Sequence, residues 1–76
     1  MSEISEAAAT LELVAKLKGR VEALEEIGKK CLRMAKDQAG MKRYAEARVA
    51  TDIAEWSAGT AMATIGRMKQ LAEGMS

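Results

Sequence analysis

The sequence predicts an all-α protein, an antiparallel helical hairpin that pairs with a second copy into a four-helix bundle. Three observations lead there. Ala, Leu, Glu, Lys, Arg and Met dominate a 76-residue chain without proline, and these residue types lose little on entering a helix. Apolar residues recur at spacings of three and four, and no stretch alternates as a strand would. One polar, glycine-bearing stretch near the middle, residues 36–44 (KDQAGMKRY), interrupts the pattern where a hairpin needs its turn.

The first helix is expected from about residue 3 to about 38. Ser2 is placed to cap it, and Glu3 and Glu6 lie in the first turn, where the helix dipole favours anions. Its stop is expected at residues 38–41, with Arg33 and Lys36 in the last turns and Gly40 taking the left-handed conformation that ends a helix. The second helix is expected from about 42 to 73. No Ser, Thr, Asp or Asn stands just after Gly40 to cap it. Two alternatives therefore compete: a single long coiled-coil helix through Gly40, or a three-helix bundle broken at Gly28 and recapped by Asp52 with Glu55.

Periodicity says what each helix must cover. Leu13, Val14, Leu17, Val21, Leu24, Ile27, Cys31, Leu32 and Ala35 fall on one broad side of the first helix, opposite Lys18, Glu22, Lys29, Arg33 and Lys36. Ile4 and Leu11 sit off that arc and suggest a further contact for the first turns. The second helix carries two adjacent seams. Val49, Ile53, Trp56 and Leu71 form a bulky one; Ala47, Ala50, Ala54, Ala58, Ala61, Ile65, Met68, Ala72 and Met75 form a small-residue one. One partner helix cannot cover both. The Ala seam is expected against the first helix of its own chain or of a symmetry mate, with the bulky seam filling the rest of the core. Val49, Ile53, Trp56, Ala54, Ala58, Ala61, Ile65 and Met68 are thus the expected oligomer seam. Trp56 reads as core, Cys31 as a buried thiol, and Met62, Met68 and Met75 as gap-filling side chains. Gly59 and Gly66 mark either a close approach or tolerated exposed positions.

Composition narrows the function. A core of this size contributes only about 3–5 kcal/mol before some staple is added. With one cysteine and no histidine, neither an internal disulfide nor a zinc, haem or di-iron site with imidazole ligands is expected, which leaves oligomerisation. No cofactor is expected. A lone thiol suits a reducing compartment, and the chain is placed in the cytoplasm. The opening MSEISEAAA has glutamates where a signal peptide needs cations followed by an apolar run. The longest uncharged stretch, Trp56 to Gly66, is 11 residues, short of the roughly 20 that cross a bilayer; no membrane partner is expected.

Catalytic patterns fail on inspection. Around Gly28-Lys29, a phosphate-binding loop needs glycine where Ala23 stands and Ser or Thr where Lys30 stands. Glu25 with Lys29 and Glu26 with Lys30 are four apart in the favourable order, which marks a solvated helix face rather than acid–base machinery. The chain is not expected to be an enzyme.

Charge is the remaining signal. From Lys29 to Arg48 there are seven basic residues (Lys29, Lys30, Arg33, Lys36, Lys42, Arg43, Arg48) against Asp37 and Glu46, while the rest of the chain carries a balance of four negative. A turn near Gly40 gathers these cations at one tip of a hairpin roughly 50 Å long, with Glu3, Glu6, Glu12 and Glu73 at the open end. Lys42 and Arg43 at the start of the second helix oppose its dipole, so capping does not explain the cluster. Either the pattern orients an antiparallel dimer, tip beside acidic end, or the tip contacts an external anion on a protein or nucleic acid. The expected function is a non-enzymatic protein–protein interaction module, an adaptor, regulator or inhibitor working as a homodimer. The alternative is a small nucleic-acid-binding regulator that uses the basic tip.

Overall fold

Two helices pack side by side over nearly their whole length in the computed structural model, which describes residues 3–74. Helix α1 spans Glu3–Gly40 and α2 spans Tyr44–Glu73. The molecule is a rod of 60 × 14 × 14 Å. The hairpin expectation holds, and the three-helix and continuous-helix alternatives do not. Gly28 stays inside α1. The expected Ser2 cap, Met75, and the side chains of Glu3 and Ile4 lie outside what is described.

The contact is a coiled-coil seam. On α1 the inward residues are Val14, Leu17, Val21, Leu24, Gly28, Cys31, Ala35 and Gln38; on α2 they are Ala47, Ala50, Ala54, Ser57, Ala61, Thr64, Met68 and Leu71. Both series step alternately by three and four, which keeps one narrow stripe facing a single partner helix. This narrows the broad arc expected of α1. Leu13, Ile27 and Leu32 belong to that arc in sequence but are exposed, as is Leu11. Two cylinders touch along a line, so flanking residues of a wide apolar arc remain outside.

Side-chain size grades along the seam. Val21, Leu24 and Ala61 form the buried cluster, with Met68 packed against it. Towards the turn, Gly28, Cys31 and Ala35 meet Ser57, Ala54 and Ala50, small against small, and a Cβ built on Gly28 would sit 3.8 Å from the Ser57 Cβ. Ser57 is the most buried residue at 1% exposure. Its hydroxyl donates to the Ile53 carbonyl at 2.8 Å, as Thr51 does to Ala47 at 2.9 Å and Thr64 to Thr60 at 2.8 Å. Each hydroxyl is satisfied by its own helix and asks nothing of α1.

The turn differs from expectation in place and in chemistry. It falls at residues 41–43, about two residues later, and Gly40 remains helical. The left-handed residue is Lys42, with φ 61°. The Arg43 amide donates to the Gln38 carbonyl at 2.8 Å and the Lys42 amide to Ala39 at 3.0 Å. This pair of bonds is a Schellman closure, and it requires the left-handed conformation at the residue after the cap. The register of the seam puts that position at Lys42, two residues beyond the glycine. A side chain there costs about 1–2 kcal/mol relative to a relaxed backbone. Lys42→Gly is therefore expected to stabilise the hairpin by about 1 kcal/mol, read as a higher urea midpoint at unchanged slope. As the sequence suggests, α2 starts without a side-chain cap, Arg43 standing at that position.

Candidate interaction surfaces

Two kinds of surface lie outside the seam. The first is apolar. Of the bulky seam of α2, Val49, Ile53 and Trp56 point away from α1, whereas Leu71 falls on the inward stripe, half-buried; Trp56 is 61% exposed and Val49 58%. The expectation that Trp56 is core is not met within the hairpin, because the inward stripe is taken by the alanine series, which sits one step around the helix. Of the expected oligomer seam, Ala54 and Ala61 are buried against α1 and Met68 packs on the core cluster. Ala58 and Ile65 lie on the opposite flank from Ile53, exposed.

The two flanks differ. On one, Leu24, Gly28, Leu32, Ala54 and Ala58 line a shallow groove bordered by Glu25 and Lys29. Lys18, Glu22, Lys36, Arg48, Glu55 and Lys69 share its helix faces, so apolar and charged groups interleave. On the other, Cys31, Met34, Val49, Ala50 and Ile53 line a groove with Glu46 at its edge. Ile27, Ala23, Trp56, Thr60 and Ala63 extend it toward the middle of the rod, interrupted only by Lys30. Arg20 and Arg67 close it toward the open end, beside the Leu13–Thr64 groove. Sequence periodicity separated Val49, Ile53 and Trp56 from the alanine seam, but it assigned Ile27 to the interior and did not single out Met34. Their signal was available: both lie one position before an inward residue, where a coiled coil places its flanking side chains.

The second surface is the basic tip. Lys29, Lys30, Arg33, Lys36, Lys42, Arg43 and Arg48 are all exposed. They do not form one compact cluster. Lys42 and Arg43 stand on the turn, whereas Lys29, Arg33, Lys36 and Arg48 run back along the outer faces, away from the Val49–Trp56 flank. Cys31 is a free, half-buried thiol on the seam. Met62 is exposed rather than gap-filling, and nothing lies within 4 Å of a Cβ at Gly59 or Gly66, so neither marks a close approach within the hairpin. Among the described residues no group of three or more Cys, Asp and Glu is placed to hold a metal ion, and no helix is long and apolar enough to cross a membrane. Comparison with family models, with curated proteins and with solved structures finds no match for this chain.

Proposed function

We propose that this chain is a non-enzymatic helical interaction module that works as a homo-oligomer, acting as an adaptor, regulator or inhibitor of another protein. One observation carries the reading. The hairpin uses its small residues for its own seam and holds large apolar side chains, Trp56, Val49, Ile53 and Met34, outward on one flank. Contiguous apolar surface of this kind on a small protein marks a contact site. The half of the seam nearer the turn, built of Gly28, Cys31, Ala35, Ala50, Ala54 and Ser57, also buries little area, which favours a stabilising partner. A cytoplasmic setting is supported by the single unpaired thiol. Light scattering across a concentration series, with far-UV circular dichroism on the same samples, tests the oligomer: a strongly helical species at twice the chain mass is expected. A monomer at every concentration overturns it.

The exposed cations around the turn favour a second reading, a small nucleic-acid-binding regulator. Its signature is a salt-dependent mobility shift of a generic DNA or RNA duplex, abolished by the double change Lys42→Glu, Arg43→Glu. The leading reading expects no shift at low salt.

A further inference from the structure

We infer that the Val49–Trp56 flank is covered by a second copy of this chain, packed antiparallel about a twofold axis that crosses the rod at Gly28 and Ser57. The inference rests on the homo-oligomer reading above and adds the face, the direction and the register.

Charge sets the register. The flank carries acidic groups near the turn, Asp37 on α1 and Glu46 on α2, Lys30 near its middle, and cations toward the open end, Lys16 and Arg20 on α1 and Arg67 on α2. The midpoint between Asp37 and Arg20 falls between Gly28 and Lys29; the midpoint between Glu46 and Arg67 falls between Trp56 and Ser57. These two points are level with each other in the hairpin, because Gly28 and Ser57 face each other across the seam, a Cβ built on Gly28 lying 3.8 Å from the Ser57 Cβ. A twofold axis through that level, perpendicular to the rod and in the plane of contact, lays α1 on the partner's α1 and α2 on the partner's α2. It brings Asp37 opposite Arg20 and Glu46 opposite Arg67, four complementary pairs from two independent helices.

Shape agrees with charge. Under the same operation Met34 faces Ala23 and Ile53 faces Thr60, large against small, Ile27 faces Lys30, whose aliphatic stem covers it, and Trp56 lies beside its own symmetry mate at the centre. The antiparallel direction also points each tip, with Lys42 and Arg43, toward the partner's Glu6 and Glu12 end. A parallel pairing on this flank would set Arg20 and Arg67 against the partner's arginines and Glu46 and Asp37 against its carboxylates. The stagger leaves roughly 40 Å of the 60 Å rod overlapped at 1.5 Å per residue. A strip of that length across the 14 Å width, with side-chain relief added, is on the order of the ~800 Å² per partner of a standard interface. The outer cations Lys29, Arg33, Lys36 and Arg48 stay free.

Charge reversal and its rescue test this register. Sedimentation equilibrium on the full chain is run for Glu46→Arg, for Arg67→Glu and for the two together, with helicity followed by circular dichroism. Each single reversal creates two like-charge contacts by symmetry and is expected to weaken the dimer about tenfold or more; the double variant is expected to return to within about threefold of the original Kd. Trp56→Glu, at an exposed position, is expected to abolish the dimer. A double variant as weak as the singles, or a dimer indifferent to Trp56→Glu, overturns this face while leaving the oligomer reading intact. An unsubstituted chain that is monomeric throughout overturns both, and the flank then belongs to a different chain.

Discussion

Leu24→Ala is expected to lower the unfolding free energy by about 2–4 kcal/mol, the larger part of what a hairpin of this size holds. Leu24 is 6% exposed and sits in the only cluster of buried residues described, with Val21 and Ala61, Met68 closing over it. Towards the turn the seam is built of Gly28, Cys31, Ala35, Ala50, Ala54 and Ser57, which have few side-chain atoms to remove from water. Ala61 opposite is already a methyl group and cannot fill the space. Urea unfolding followed by far-UV circular dichroism reads the effect, with Leu32→Ala as the comparison. Leu32 is exposed, and its truncation is expected to change stability by no more than about 0.5 kcal/mol. Equal losses at the two positions would show that stability is not centred on the Val21–Leu24 cluster.

Gly28 is expected to answer oppositely to two substitutions. A Cβ there meets the Ser57 Cβ at 3.8 Å, an ordinary contact, so Gly28→Ala keeps the spacing and removes the cost of glycine within a helix, a gain of about 0.5–1 kcal/mol. Gly28→Leu has the same helix advantage but drives three more carbons into α2, where Ser57 is 1% exposed and has no room to retreat. Overpacking of this kind costs about 1–3 kcal/mol. The net expectation is a loss, with the urea midpoint falling below that of the unsubstituted chain while Gly28→Ala lies above it. If both variants are stabilised, the helices are not in close contact at this level. The twofold register centred on Gly28 and Ser57 would then lose its reference point.

These two positions also show what periodicity can and cannot resolve. Leu24 is legible as core because it lies at the centre of an apolar arc, with charged residues on the far side. Gly28 is not: a glycine within a helical pattern reads equally as a break, and only the facing Ser57 makes it a contact. Ser57 itself gave no signal, since a hydroxyl counts as polar until its bond to the Ile53 carbonyl at 2.8 Å removes the penalty of burial. At the turn the glycine was misleading. Gly40 is the residue best suited to a left-handed backbone, but closure of the helix at Gln38 and Ala39 puts that conformation on Lys42. The position is set by where the seams of α1 and α2 come into register, and packing over the full rod outweighs a local cost of one residue. Of the candidate surfaces, the basic tip was legible from charge counts alone. Its spread along the outer faces was not, because that depends on which stripe faces inward.

What the sequence determined by itself is that nearly every residue is helical, that one interruption lies near residue 40, and that α2 carries two apolar seams side by side. Propensity and spacing act along a single chain and are visible there. Which seam faces α1 was decided only in three dimensions. Both have the same spacing of three and four, so the pattern is indifferent between them. Most of the small one, Ala47, Ala50, Ala54, Ala61 and Met68, lies inward, where its short side chains let two helix axes approach closely along the contact, and this leaves Trp56, Val49 and Ile53 on the surface.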